Sequence, residues 1–405
     1  MYRSIAVDAG TPAAAFVTAL QQNLDRFGRD DAILVSVGKL TLFIWEPNFK
    51  AVGSPALRKA SLDARMAGQK AKLQALEVAL PAGHFDPFDI DFDQIDPEIV
   101  PCVRKSPDET LFDYVARGQS IAAETSKMRI GKFLIYDRSR APRRLAGVMG
   151  LKSPMYFDGA RDRHLGWPPL FNMVADVWVK NQAAVALRNV ALKSVFNICV
   201  CMAASPYDQP RVGKLIASLA FSPPVIDYLE QTYNDPVLGM TTTGGWGGSA
   251  GQYERIRVAT PLVANGPKQK LFARTHGVKT SLNFPLHLFD SGVFDSAFRA
   301  LQASSQPSRP FADYKNDQKV QRALLMAACG LVGLPWRAIA TNVVAHYFGA
   351  ASQACRDALA TAQTLAAPPA ARTVPIADIV AEWRNQPLPS PLKGVSATLL
   401  STLAN

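Results

Sequence analysis

Two kinds of local pattern in this chain could carry chemistry. The first is Gly247-Gly248-Ser249-Ala250-Gly251, which fits the G-x-S-x-G arrangement in which a serine on a sharp strand-to-helix turn attacks an acyl carbon. Such a turn needs a strand running straight into the serine. Here the apolar stretch Val237–Thr243 is separated from Ser249 by Gly-Gly-Trp-Gly-Gly, and Pro261 interrupts the chain where the packing helix should run. Histidines at 276, 287 and 346 keep a Ser–His–acid order open. We read the glycines instead as backbone that can lie close to a ligand or a strand edge.

The second kind is a set of polar clusters. Arg161-Asp162-Arg163-His164 brings a His next to an Asp, the pairing of a general base, with Arg161 and Arg163 as phosphate binders. The alternative is a surface turn with a local ion pair. Tyr253, followed by Glu254 and Arg255, could serve as an acid or as a stacking platform with a cation beside it; a ring packed under a sheet is the other reading. In MAASPYDQPRVGKLIASL, 202–219, a buried strand ends, Pro206 turns the chain, and an amphipathic helix begins. Arg211, Val212, Gly213, Lys214 and Leu215 then sit where helix amides and neighbouring cations favour a pyrophosphate. The turn DRSRAPRR, 137–144, offers Arg138, Arg140, Arg143 and Arg144 to a phosphate backbone, or to water as a solvated hairpin tip. Cys199 and Cys201 share a strand face without a second pair or matched histidines, so we expect buried thiols and no metal site.

These groups need a scaffold. The chain has 405 residues, 48% of them hydrophobic, enough for two or three units. Lys and Arg outnumber Asp and Glu by 44 to 33, a formal charge of +11, which favours polyanions or phosphate-bearing ligands as partners. The odd count of 5 cysteines gives no disulfide framework and points to a reducing compartment. Met1-Tyr2-Arg3-Ser4 leads into no apolar run, and Ala323–Trp336 is too short to span a bilayer, so we expect a soluble, cytoplasmic protein without membrane contact.

Along the chain we expect a helix over 11–27, a hairpin of 32–37 with 40–45, and a long charged helix over 55–79. HFDPFDIDFDQIDPE, 84–98, carries six acidic residues and no Lys or Arg, and its Asp and apolar positions alternate. It reads as a linker strapped across a basic body, with a regulatory strap in a basic groove as the other possibility. A helix over 113–128, strands at 132–137 and 144–151, a helix over 168–189, a buried strand at 194–203, helices over 210–221 and 225–232, and a strand at 237–243 come next. From 311 to 364 the reading is nearly all helical, with a helical hairpin or a helix-turn-helix carrying Arg337 and Thr341 at 324–348. A short helix lies near 377–385.

The strand, basic Gly turn, helix, strand and Tyr-containing segment resemble the core of GCN5-related N-acetyltransferases. That resemblance implies turn amides that hold the pyrophosphate of an acyl coenzyme A. Of the family's turn pattern, Q/R-x-x-G-x-G/A, only the last glycine, Gly213, is present; Asp208 stands at the Gln/Arg position and Arg211 at the first glycine. A second resemblance covers about 110–290. RRLAGVMGLKSPMYFDGARDRHLGW (143–167), VGKLIASLAFSP (212–223), DPVLGMTTTGGWGGSAGQYERI (235–256) and THGVKTSLNF (275–284) resemble the DruA family of Druantia anti-phage systems. It implies a defence or mobile-element context and no particular reaction.

The fold expectation is therefore α/β: a GCN5-acetyltransferase-like mixed sheet over 100–300, an N-terminal α+β extension over 1–99 and C-terminal helices over 301–405. The functional expectation is a nucleic-acid-associated defence component that binds or modifies DNA, through Arg138, Arg140, Arg143, Arg144, Arg161, Arg163 and Arg255. One alternative is an acyltransferase with an acyl-coenzyme A donor at Arg211–Leu215 and Tyr253, His164 or Asp162 handling protons. The other is a non-catalytic scaffold among other defence-system subunits.

Overall fold

After the first strand, Tyr2–Asp8 (β1), and a turn, Thr11 starts the first helix, Pro12–Asp25 (α1). Its hydroxyl accepts the Ala14 amide at 3.2 Å, and Pro12 takes the position where a missing N–H costs nothing. The hairpin strands are Ala32–Ser36 (β2) and Lys39–Trp45 (β3); β3 pairs antiparallel with both β1 and β2, in the order β1-β3-β2. The computed structural model describes residues 2–25, 32–36, 39–45, 74–75, 88–117, 129–175, 177–207, 210–244, 253, 256–258, 269–281, 289–304, 309–315, 317–334, 342–361, 368–369 and 371–385. The helix expected over 55–79 lies outside them except at 74–75.

The chain divides into two compact units. One comprises residues 1–69, 245–249 and 279–344. In it α1 buries Phe16, Val17 and Leu20 in a cluster with Val293, Phe294 and Leu301 of Ser291–Gln302 (α7) and Leu324, Leu325 and Ala328 of Gln318–Leu331 (α8). Asn23 ties α1 to the cap of α7: its amide donates to Asp290 Oδ2 at 3.1 Å and its carbonyl accepts the Asp290 amide at 3.0 Å. Helix α8 stops at Gly333, whose φ of +72 lets the Leu334 amide reach the Cys329 carbonyl at 2.7 Å.

The other unit comprises residues 70–244, 250–278 and 345–405. Its strands are Pro97–Pro101 (β4), Ile130–Asp137 (β5), Arg144–Lys152 (β6), Val195–Ala203 (β9) and Gly239–Gly244 (β10), with residues up to 278 of Phe272–Ser281 (β13) and from 345 of Asn342–Gly349 (β14). They form one seven-stranded mixed sheet in the order β13-β14-β10-β9-β6-β5-β4. The short strands Arg257–Val258 (β11) and Gln269–Lys270 (β12) pair with each other outside it. The pairs from β4 to β9 are antiparallel, β9 and β10 are parallel, and β10 and β14 are antiparallel. Leu145–Leu151 of β6 are all buried, the continuous run of a strand covered on both faces. Gly147 is required there. A Cβ would come within 2.2 Å of Ile216 Cδ1 and 2.3 Å of the Met202 carbonyl. Between β6 and β9 the register slips so that Gly150 faces Val200 and Leu151 faces Ile198, a bulge that leaves Cys199 unpaired. The pairing of β9 with β10 ends at Ile198 and Thr242, although both strands run on.

Tyr347 and Phe348 show that the sheet has two packed faces. They are consecutive in β14, so they point to opposite sides. Tyr347 joins the large cluster of Val212, Leu215, Ile216 and Leu219 from Pro210–Leu219 (α5), Val225, Ile226 and Leu229 from Pro223–Tyr233 (α6), and Ile379 and Trp383 from Ile376–Arg384 (α10). Phe348 joins Leu165, Trp167, Ala191, Cys355 and Leu359. These come from the segment around Gly159–His164 (α3), from Gln182–Ala191 (α4) and from Gln353–Thr361 (α9).

Three expectations about elements need correction. The helix expected over 113–128 starts earlier, as Pro107–Ala116 (α2), because Ser106 caps it by accepting the Glu109 amide at 3.2 Å; residues 118–128 lie outside the described residues. Residues 168–189 are not one helix: Phe171–Val174 (β7) and Val177–Lys180 (β8) pair as a hairpin, and only then does α4 begin, capped by Asn181, whose side chain accepts the Ala184 amide at 3.1 Å. The aromatic and β-branched residues of the hairpin favour extended backbone. The third correction concerns 311–364, where the strand β14 interrupts the helices. The helix-turn-helix reading of 324–348 falls with it, and Arg337 and Thr341 lie outside the described residues. A short apolar run fits a buried strand as well as a helix, and here pairing with β10 decided. The expected boundaries at 99/100 and 300/301 also differ from the two units, because α1 packs with α7 and α8 while β14 joins the main sheet.

Candidate functional site

The arginine turn begins where β5 ends, at the buried Asp137. Asp137 Oδ1 accepts the amides of Asp96 and Ser139, each at 3.0 Å, and Oδ2 accepts the Tyr207 hydroxyl at 2.7 Å. Burial, and then the bond to Asp137, pushes the Tyr207 phenol well above its ordinary range, so it stays a donor. One carboxylate therefore pins the 88–96 segment, the arginine turn and the chain just beyond β9.

The arginines of the turn meet that same acidic segment. Arg138 pairs with Asp96 at 3.0 Å and Arg143 with Glu98 at 2.6 Å. Arg140 donates to the Asp89 carbonyl and lies 4.4 Å over the Phe88 ring, with Arg144 5.7 Å from that ring. Arg143 also lies 4.2 Å over Tyr136. The side chains of Arg138 and Arg143 are 54% and 47% exposed, so water and ions still reach them. The segment is anchored from below by the fully buried Ile95, by Phe88, Ile90 and Phe92 at the core edge, and by Arg384, which donates to the Ile95 carbonyl at 3.1 Å.

The Arg161–His164 cluster is distributed differently. Asp162 Oδ1 accepts Arg161 Nε and Nη2 at 2.9 and 2.6 Å, and Oδ2 accepts Arg188 Nε and Nη2 at 3.3 and 2.9 Å. The remaining donors go to the carbonyls of Met155, Tyr156, Pro168 and Ala184, and the Trp167 ring lies 5.1 Å from the Arg161 guanidinium. Arg161 and Asp162 are 1% and 4% exposed. The arginine expected to bind phosphate and the aspartate expected to move protons are here each other's buried partners, and the network ties the start of α3 to α4. Arg163 is exposed, and His164 is half-buried with its ring 5.7 Å from Phe348.

The helix-start residues also turn inward. Val212 and Leu215 are core residues, the Gly213 carbonyl accepts the Cys201 thiol at 3.7 Å, and Lys214 is buried. The side chain of Arg211 lies outside the described residues, as do Asp208, Ser249, Glu254 and Arg255. Tyr253 packs edge-on at 5.3 Å to Phe272 and at the same distance to Tyr347, the packed-ring alternative. Burial raises the thiol pKa of Cys199, and that of Cys102 to about 12, so neither is an activated thiolate. Among the described residues no group of His, Cys, Asp and Glu is placed to hold a metal ion, and no helix is long and apolar enough to cross a membrane.

A pair that the sequence reading did not assemble lies on the Phe348 face. Asp158 caps α3, its Oδ1 accepting the amides of Ala160 and Arg161 at 3.0 and 3.3 Å. Its Oδ2 meets His346 Nδ1 at 3.3 Å. Burial alone would raise the Asp158 carboxyl; the hydrogen bond and charge of His346, with Arg161, outweigh it and hold the group well below the usual carboxylate range. His346 stands directly across from Thr243 in the β10–β14 pairing. An Asp immediately before a short polar helix is a cap signal readable in sequence; its partner 188 residues away is not.

The family described as Druantia protein DruA matches residues 58–346. No curated protein and no solved structure matches the chain. The matched range includes the arginine turn, the buried Asp162 network and both members of the Asp158–His346 pair. With well over half of its 405 residues inside that match, the chain belongs to the DruA family of anti-phage defence components.

Proposed function

We propose that this defence component works on nucleic acid and that Arg138, Arg140, Arg143 and Arg144 contact its backbone. The observation that carries this reading is the set of partners these arginines hold: two carboxylates, a carbonyl and two aromatic rings. Phosphates and bases would make the same charge-assisted and cation–ring contacts. The excess of 44 basic over 33 acidic residues supports it. The test is binding of duplex and single-stranded DNA between about 50 and 200 mM salt. Electrostatic contact by four arginines predicts a slope of log K against log salt near −4, reduced by about one for each arginine replaced by glutamine. A flat response would overturn the reading.

A second reading, acyl transfer on a GCN5-related fold, draws on the parallel pairing of β9 with β10, next to the antiparallel pairs from β4 to β9. The strands β9 and β10 cease to pair beyond Ile198 and Thr242, and α5 follows β9. The fit to coenzyme A is partial, since Val212, Gly213, Lys214 and Leu215 are all buried. Only first-turn backbone and Arg211 would remain for a pyrophosphate. Millimolar acetyl coenzyme A raising the melting temperature would support this reading. An unchanged melting temperature would end it.

A further inference from the structure

We propose that Thr243, His346 and Asp158 form an acyl-accepting site for a carboxylic ester or thioester, separate from the arginine turn and independent of a coenzyme A pocket. Three observations carry it. Asp158 Oδ2 engages His346 Nδ1 at 3.3 Å, which leaves Nε2 as the nitrogen able to accept a proton. Among the described residues no hydrogen bond takes up Nε2. Thr243 is the direct cross-strand partner of His346, so both side chains rise on one face with Cβ atoms roughly 5 Å apart. Thr243 is also exposed, at the point where β10 leaves the sheet interior, whereas Thr241 and Thr242 are buried and bonded to Asn197 and the Ile198 carbonyl.

The arrangement is a hydroxyl, an imidazole and a carboxylate in series, the logic of an activated nucleophile. Thr243 Oγ1 attacks the carbonyl carbon as His346 Nε2 takes the hydroxyl proton. Collapse of the tetrahedral adduct breaks the bond to the alcohol or thiol, which leaves with the proton returned by the imidazolium. Thr243 is left as an ester. Water attacking in the same way, with the same proton path, releases the acid and restores the hydroxyl. Asp158 is a positioning residue: it holds the ring with Nδ1 protonated and balances the imidazolium charge. Its own fixed orientation comes from capping α3, so the base is aimed by a helix start and carried by a strand.

The test uses the full chain and p-nitrophenyl acetate as probe, with intact mass and peptide mapping. We expect a gain of one acetyl group on Thr243 and a stoichiometric burst of p-nitrophenolate. T243V should abolish that label, T243S should retain it, and H346Q should slow it about 100-fold. D158N should slow it, and D158E, which keeps a carboxylate, should recover part of the rate; a merely structural role would not separate the two variants. Melting curves confirm that each variant is folded, and mapping of the unaltered chain decides the matter if H346Q or D158N does not fold. Absence of label on Thr243, or labelling at an undiminished rate in folded H346Q, overturns the proposal.

Discussion

The Tyr207 hydroxyl donates to Asp137 Oδ2 at 2.7 Å, from the chain beyond β9 to the last residue of β5. The other carboxylate oxygen takes the amides of Asp96 and Ser139. The arginine turn is thus positioned by an acid that is itself no part of the solvent-facing cluster. Tyr207→Phe should cost about 1–3 kcal/mol, since it leaves a buried charged acceptor one donor short. Denaturant unfolding would measure it, and a loss below about 0.5 kcal/mol would show that Asp137 is satisfied without the phenol.

The acidic segment competes with any anion at the turn. Neutralising two partners, Asp96→Asn with Glu98→Gln, removes two exposed ion pairs of modest worth, about 0.5 kcal/mol each. If the turn binds DNA, affinity at low salt should rise roughly 5-fold, with a steeper salt dependence. Unchanged affinity in a chain that still binds DNA would place the contact elsewhere.

The Asp162 carboxylate holds two arginines that are each 1% exposed. Asp162→Ala would strand both charges in the interior, at a cost of about 3–5 kcal/mol. Arg163→Ala, on the exposed side of the same turn of helix, should change stability by less than about 0.5 kcal/mol. Chemical denaturation of the two variants would check the contrast, and similar losses for both would mean the network is not the support it looks to be.

Asp158 gives stability a pH dependence with a definite sign. Its carboxyl lies lower in the folded chain than in the unfolded one, so the unfolded chain binds the proton more readily in acid. Its contribution is present above about pH 4, the unfolded value, and is lost as pH falls towards the folded one. Asp158→Asn should flatten the acid limb of stability against pH. An unaltered acid limb would mean that other carboxylates, such as Glu109 with its Lys132 partner, set it.

Much of the order of elements is legible in the residues themselves. Alternation marks β2 and β3, prolines mark the starts of α1, α5 and α6, and long apolar runs mark β6 and β9. Asn181 and the β-branched hairpin before it were also readable, yet the apolar spacing of 168–189 fitted a helix equally well. The site was less legible. The DRSRAPRR turn is a local feature, and its arginines stand together because they are neighbours in sequence. RDRH was equally conspicuous, but nothing local reveals that Arg188, one element later, closes Asp162 into the interior.

What the sequence by itself determined is what depends on near neighbours: strand and helix periodicity, caps, the basic balance, the acidic run and the family resemblance. The tertiary structure alone decided which polar groups are reagents and which are struts. Burial and pairing are set by residues far apart in the chain, as when Asp158 meets His346 or when Asp89, Asp96 and Glu98 meet the arginine turn. The pairing of β14 with β10 is such a decision too: it sets His346 across from Thr243, and no spacing within either strand contains that fact.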